Sequence, residues 1–404
     1  MAIIKLLVVF AVMVIVLKLK KPLFLAIIGA TIATALLFGI GLGPFFSALY
    51  RGATGWGTLS ILLVFYLIAF LQRMLEKRGS LNLAQQSLNR LFNSRRITAS
   101  LAPFLLGLLP SASVVILCGE IVENTVGKDL ATEEKAFVTS FYRHIPESFL
   151  PTFSSVVIAI NLTQGAVTAG SFILGMVPMV IVLALLGYVF YLRRIPKETM
   201  LPPSNNKWRD FLNLCIGCWP IALIIALILT FDIPVYLAAA ISILLFILIG
   251  RFSLGELKPF VKSAIESNLL ISTFFIMLFK EVLGATGVIA TLPALFAKLP
   301  LPEFLIFALI FFFGTVVSGS QAIAVIGIPL VFMSITSGHL PMFILLMGMT
   351  FAANQITPTH VCLPIAAEYF HISFDALVKQ SLPVLAVFCA ALFGYYFLLM
   401  LFVY

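Results

Sequence analysis

The stretch Gly314-Thr315-Val316-Val317-Ser318-Gly319-Ser320-Gln321 decides how this chain folds. It interrupts an apolar run, 302–336, whose two arms of about 12–15 residues fall short of the roughly 20 needed to cross a ~30 Å hydrocarbon layer. Small and hydroxylated residues at the break leave backbone N–H and C=O groups without helical partners, and lipid cannot satisfy them. The run therefore reads as a re-entrant hairpin with Ser318, Gly319, Ser320 and Gln321 at its tip. A second run, 97–126, is broken in the same way by Leu109, Pro110, Ser111, Ala112 and Ser113.

Composition sets the class around these breaks. Of 404 residues, 62% are hydrophobic and 10% charged, and the mean hydropathy is +1.15. Soluble domains carry roughly 45–50% apolar and about 25% charged residues. A soluble enzyme, a nucleic-acid-binding protein and a disordered chain are excluded, and a polytopic membrane protein remains. The net charge of +9 sits in short loops between apolar runs, so it reports topology rather than a nucleic-acid partner. No GxxxxGK[ST], HExxH or GxSxG motif occurs, so ATP-driven, protease and hydrolase chemistry has no foothold and no enzyme is expected. Cys118, Cys215, Cys218, Cys362 and Cys389 all fall in apolar stretches and read as helix packing, the Cys215/Cys218 pair included. Ala2–Leu17 is followed by Lys18, Lys20, Lys21 and Pro22 instead of a cleavage site, and reads as a retained first helix. Asn161-Leu-Thr reads as a short interhelical loop.

Ten apolar segments have spanning length: 2–17, 22–42, 58–75, 134–160, 166–191, 211–229, 234–250, 263–284, 340–365 and 376–402. If 18–21, 73–96, 127–135, 191–210, 251–262 and 366–379 share one side, that side carries 20 of the 25 Lys and Arg residues. The positive-inside rule makes it cytoplasmic and places both termini outside an inner (plasma) membrane.

The order of features repeats. Phe70–Gly79 and Leu278–Gly287 each end the third span of a half, and each is followed by an amphipathic segment. Gly79 and Pro110 are 31 residues apart, as are Gly287 and Ser318. A proline-broken helix follows in each half, at His144-Ile145-Pro146 and at Thr357-Pro358. Five spans per half is odd, so the halves, 1–191 and 211–404, are expected to sit in opposite orientation, joined by a cytoplasmic Pro- and Asn-containing linker, 192–210. Inverted repeats with interrupted segments at matching places are the pattern of a secondary transporter whose site lies near the midplane.

Broken helices supply the candidate chemistry. Thr357 with Pro358, Ser320 before Gln321, Ser111 or Ser113, and Pro146 are the expected helix starts, where free N–H groups and partial positive charge favour an anion. Helix ends at the same breaks expose carbonyls that suit Na⁺. The expected solute-binding residues are Pro110, Ser111, Ala112, Ser113, Ser318, Gly319, Ser320, Gln321, Thr357, Pro358, Thr359 and His360. The competing reading of the serines is close packing of small residues. His144, Glu147, Ser148 and Asn354 are the expected coupling-ion residues, because ionisable groups at that depth are costly and usually functional. Alternatively, Arg143 and Glu147 form an i,i+4 pair across the kink, and His360 is a hydrogen-bonded core histidine. No fixed Lys or Arg is expected at the tips.

The run Gly107-Leu-Leu-Pro-Ser-Ala-Ser113, then Glu133–Phe137, Tyr142–Glu147, Ile356–Leu363 and Ala367–Phe370, resembles the membrane family labelled domain of unknown function 401, of the ion-transporter superfamily. The resemblance covers nearly the whole chain. It implies two inverted repeats, re-entrant hairpins, an elevator-type transport domain and a scaffold homodimer. It also implies relatives that carry gluconate, C4-dicarboxylates, citrate, sulfate or arsenite, or exchange Na⁺ for H⁺. The tip Ser111-Ala112-Ser113 departs from the glycine-rich tip expected of the family.

The expectation is thus an all-α polytopic membrane protein that moves a small organic anion, a carboxylate by preference, coupled to Na⁺ or H⁺. The alternatives are a Na⁺/H⁺ antiporter on the same fold and a non-transporting membrane scaffold. No organic cofactor and no metal beyond Na⁺ are expected. The expected partners are a small anionic solute, the lipid bilayer and a second copy of the chain.

Overall fold

The computed structural model describes residues 2–19, 21–108, 114–196, 204–288, 301–358 and 360–402. Among the described residues, five helices are long and apolar enough to cross a membrane: Trp56–Arg78, Ala169–Phe190, Lys207–Phe231, Ser267–Ala285 and Phe374–Phe402. The three other unbroken segments expected to span form Ala2–Lys18, Leu23–Phe38 and Val235–Ile249, of 17, 16 and 15 residues. At about 1.5 Å per residue these fall short of the ~30 Å layer. Local stops set their lengths. Pro22 and Pro234 begin the latter two, and Gly39 ends Leu23–Phe38 in the left-handed region at φ +68°. No strand occurs among the described residues.

The two expected broken helices are broken. Thr132–His144 passes into a 3₁₀ turn, Ile145–Ser148, and the chain resumes as Ser154–Leu162. Pro146 lacks an N–H and cannot extend the α-ladder. His339–Asn354 likewise stops, and a short helix, Cys362–Tyr369, follows. The arms of the second hairpin, Glu303–Ser318 and Ser320–Ser334, are joined by Gly319 alone, at φ +86° and ψ +161°, a conformation essentially closed to other residues. Arg95–Leu106 and Val114–Val126 pack together as the arms of the first. Its tip, with Pro110, Ser111, Ala112 and Ser113, lies outside the described residues, as does Thr359.

Packing between the halves is reciprocal. Arg95–Leu106 lies on Thr132–His144, and Glu303–Ser318 on His339–Asn354. Val114–Val126 crosses to the second half's Cys362–Tyr369, and Ser320–Ser334 crosses to the first half's Ser154–Leu162. Leu23–Phe38 packs on Ser267–Ala285, and Val235–Ile249 on Trp56–Arg78. Two amphipathic helices, Leu42–Thr54 and Leu254–Ser263, make the matching exchange against Ser267–Ala285 and Trp56–Arg78. Each half thus contributes one arm and one helix piece to the other, and this brings both breaks to one place.

The basic loops assigned to one side are tied to one another. Arg95 bonds Asp129 and the Thr125 and Val126 carbonyls, Arg96 bonds the Arg193 and Ile195 carbonyls, and Arg194 pairs with Glu134 at 2.7 Å. Arg78 reaches across the halves to Glu256 at 2.9 Å and to the Gly250 carbonyl, with its guanidinium 4.0 Å from the centre of the Phe252 ring.

Candidate functional site

A cavity of about 490 Å³ opens where the second hairpin tip meets both broken helices. That volume suits a small molecule. Arg143, Glu147, Phe153, Ser154 and Ser155 come to its wall from the first half. Ser318, Gly319, Ser320, Gln321, Asn354, His360 and Cys362 come from the second.

The hairpin tip is held by its partner helix. The Gln321 amide donates to Ser154 Oγ at 2.5 Å, which links the tip to the first half's broken helix. Ser318 Oγ donates to the Gly314 carbonyl at 2.7 Å, so its proton is used within its own helix and only acceptor capacity is left to it at the cavity wall. Ser320 is not the cap of its helix. Gly319 occupies that position and supplies no side-chain bond, because the one-residue turn needs a backbone that serine would strain.

Thr357 does not begin a helix either. The helix after the break starts at Cys362, with Val361 before it. Thr357 Oγ1 instead donates to the Val316 carbonyl at 2.9 Å. Val316 lies in the last turn of Glu303–Ser318, where carbonyls have no partner within the helix. Thr357 therefore fastens the second break to the hairpin, and neither it nor the exposed Pro358 lines the cavity. Ser148 Oγ donates to the Ile145 carbonyl at 2.7 Å inside its own turn and stands behind the wall.

The ionisable groups converge. Arg143 is among the largest fully buried side chains. Its Nη1 lies 3.7 Å from Glu147 Oε2, an i,i+4 ion pair formed across the turn. The same carboxylate oxygen lies 3.6 Å from His360 Nε2. His360 Nε2 meets His144 Nε2 at 2.9 Å, which joins the two broken helices ring to ring. Arg143 is thus the cationic group that the tips lacked in sequence. It lies on the facing helix, not on a tip, so no tip motif signals it. A clue was present nonetheless: an arginine at a helix break inside an apolar segment.

Ser154, Ser155 and Cys362 were also missed as wall residues. Each stands in the first turn of a helix that resumes past a break, and that position was the available signal. A smaller cavity of about 250 Å³, lined by Gln72, Thr152 and Glu266 among others, shares Ser154 with the first.

The family model described as "Protein of unknown function (DUF401)" matches residues 2–400. No curated protein matches the chain. Among solved structures, the Alcanivorax borkumensis YdaH transporter is similar at a TM-score of 0.61 and 15% identity, over 90% of this chain and 89% of that one. That likeness is one of fold.

Proposed function

For a chain that belongs to the DUF401 family, and whose two breaks enclose a polar cavity, we propose secondary active transport of a small organic anion, a carboxylate by preference. Na⁺ or H⁺ is the coupling ion, and the protein belongs with the ion-transporter superfamily. The observation that carries the reading is Arg143, a buried guanidinium that lines the cavity opposite a tip of hydroxyl and amide groups. A guanidinium presents its donors in a planar fork that matches a carboxylate bidentately. Ser320 and the Asn354 amide complete the polar wall. Reciprocal packing of the halves supports an inverted two-fold arrangement with re-entrant hairpins. The hairpins and broken helices then form the body that carries the site past a scaffold, in a plasma-membrane homodimer with both termini outside.

The test is a thermal-shift screen of carboxylates and their amides in Na⁺ and choline buffers, since a ligand that binds the folded state raises the melting temperature. A carboxylate should bind at least about tenfold more tightly than its amide, a difference of about 1.4 kcal/mol. Arg143→Met should abolish the carboxylate shift. An undiminished shift in that variant would defeat the reading.

A second reading rests on Glu147, whose carboxylate lies between Arg143 and His360. In a Na⁺/H⁺ antiporter it would be the exchanging group. The screen separates the two: the antiporter responds to Na⁺ or pH alone and loses that response in Glu147→Gln.

A further inference from the structure

At the cavity wall, where the two breaks meet, lies a donor set whose chemistry suits a metal ion. His144, His360 and Cys362 each offer one ligand atom, and the three atoms lie within 4.8 Å of one another. The two imidazole Nε2 atoms are 2.9 Å apart, and Glu147 Oε2 is 3.6 Å from one of them. His144 and Cys362 are buried and His360 half-buried, so the set is shielded while one edge meets the cavity. Two imidazoles, a thiolate and a carboxylate are the ligands of zinc, at about 2.0–2.1 Å for nitrogen and 2.3 Å for sulfur. Two nitrogens at those distances from one ion lie about 3 Å apart when the angle between them is near 90° and open slightly toward the tetrahedral value. Sulfur and imidazole donors do not suit Na⁺, Mg²⁺ or Ca²⁺, which take oxygen.

We propose that His144, His360 and Cys362, with Glu147 as fourth ligand, bind one divalent transition-metal ion of the zinc class. The site draws His144 and Glu147 from the first broken helix and His360 and Cys362 from the second. A bound ion therefore staples the two halves at the point where both chains are interrupted. Binding needs both Nε2 lone pairs, so the proton between the rings moves to an Nδ1, and it needs the Cys362 thiolate, so one proton is released to solvent as the metal–sulfur bond forms. The site shares Glu147, His360 and Cys362 with the cavity of the transport reading, but its test reads metal occupancy and not transport, so the two fail separately.

The experiment titrates Co²⁺ into the purified full-length chain in detergent, with any polyhistidine tag removed, and reads absorbance. Wild type should saturate at one ion per chain. It should show a thiolate-to-cobalt charge-transfer band and the strong visible bands of a four-coordinate site, both erased by Zn²⁺. Cys362→Ser should remove the charge-transfer band, and His360→Asn should weaken Co²⁺ binding at least about tenfold. His360→Asn decides the matter if Cys362→Ser fails to fold, judged by melting and gel filtration. The double variant Cys215→Ser/Cys218→Ser is the control, because that CxxC is the other pair able to bind thiophilic metal; it should behave as wild type. No saturable signal in wild type overturns the proposal. So does a signal that survives His360→Asn unweakened, or one that disappears in the double variant while persisting in Cys362→Ser.

Discussion

Replacing Gly107 by alanine perturbs Arg143 without touching its side chain. Gly107 closes the helix Arg95–Leu106 and lies against the backbone of Arg143. A Cβ built there would overlap the Arg143 carbonyl oxygen, and would sit 2.9 Å from the carbonyl carbon and 3.1 Å from its Cα. Non-bonded heavy atoms rest at about 3.5–4.0 Å, so the overlap with the oxygen forces the two backbones to part by roughly an ångström or more. Overpacking of this kind costs about 1–3 kcal/mol. The backbone of Gly107, at φ −67° and ψ −11°, is open to any residue, so alanine regains about 0.4–1 kcal/mol by restricting the unfolded chain. Backbone meets backbone here, so the cost falls at the upper end of that range and a net loss of about 2 kcal/mol or more follows. The displaced backbone belongs to the residue that lines the cavity, so the melting-temperature rise given by a bound carboxylate should shrink as well. Gly284→Ala is the control, because a Cβ at that helical position meets nothing within 4 Å and should be neutral or stabilising. Thermal unfolding in detergent, with and without carboxylate, reads both effects. If Gly107→Ala melts at or above wild type with its carboxylate response intact, the packing inference and its link to Arg143 are both wrong.

Thr357→Val removes the hydroxyl that satisfies the Val316 carbonyl and should cost about 1–3 kcal/mol in thermal stability, while Thr357→Ser keeps most of it. Glu256 titrates in acid: the Ser253 backbone N–H and the Arg78 guanidinium lower its carboxyl from 4.5 to about 2. Its contribution is complete above about pH 4.5 and is lost as the pH falls toward 2, so Glu256→Gln should flatten that limb of a stability–pH curve. Because Arg78 and Glu256 are partly exposed, high salt should shrink the same difference at neutral pH. Asn205→Cys should label from the cytoplasm and Arg51→Cys from outside; labelling of both from one side would refute the assigned orientation.

What was legible in the sequence was whatever local chemistry dictates. Hydropathy located the apolar helices, and Pro146 and the Gly319 tip located interruptions, because a missing N–H and a glycine-only conformation act within a few residues of themselves. The helix starts were less legible. Thr357 and Ser320 have the letters of caps, yet Thr357 spends its hydroxyl on a carbonyl 41 positions away and Gly319 takes the cap position from Ser320. Only the tertiary structure decided the wall of the cavity. Ser154 and Gln321, 167 positions apart, or His144 and His360 at 216 positions apart, meet because each half lends an arm and a helix piece to the other. Such through-space pairing leaves no periodicity in the chain. Cys362 reads in sequence as one more small apolar residue; its place beside two imidazoles comes from the fold alone.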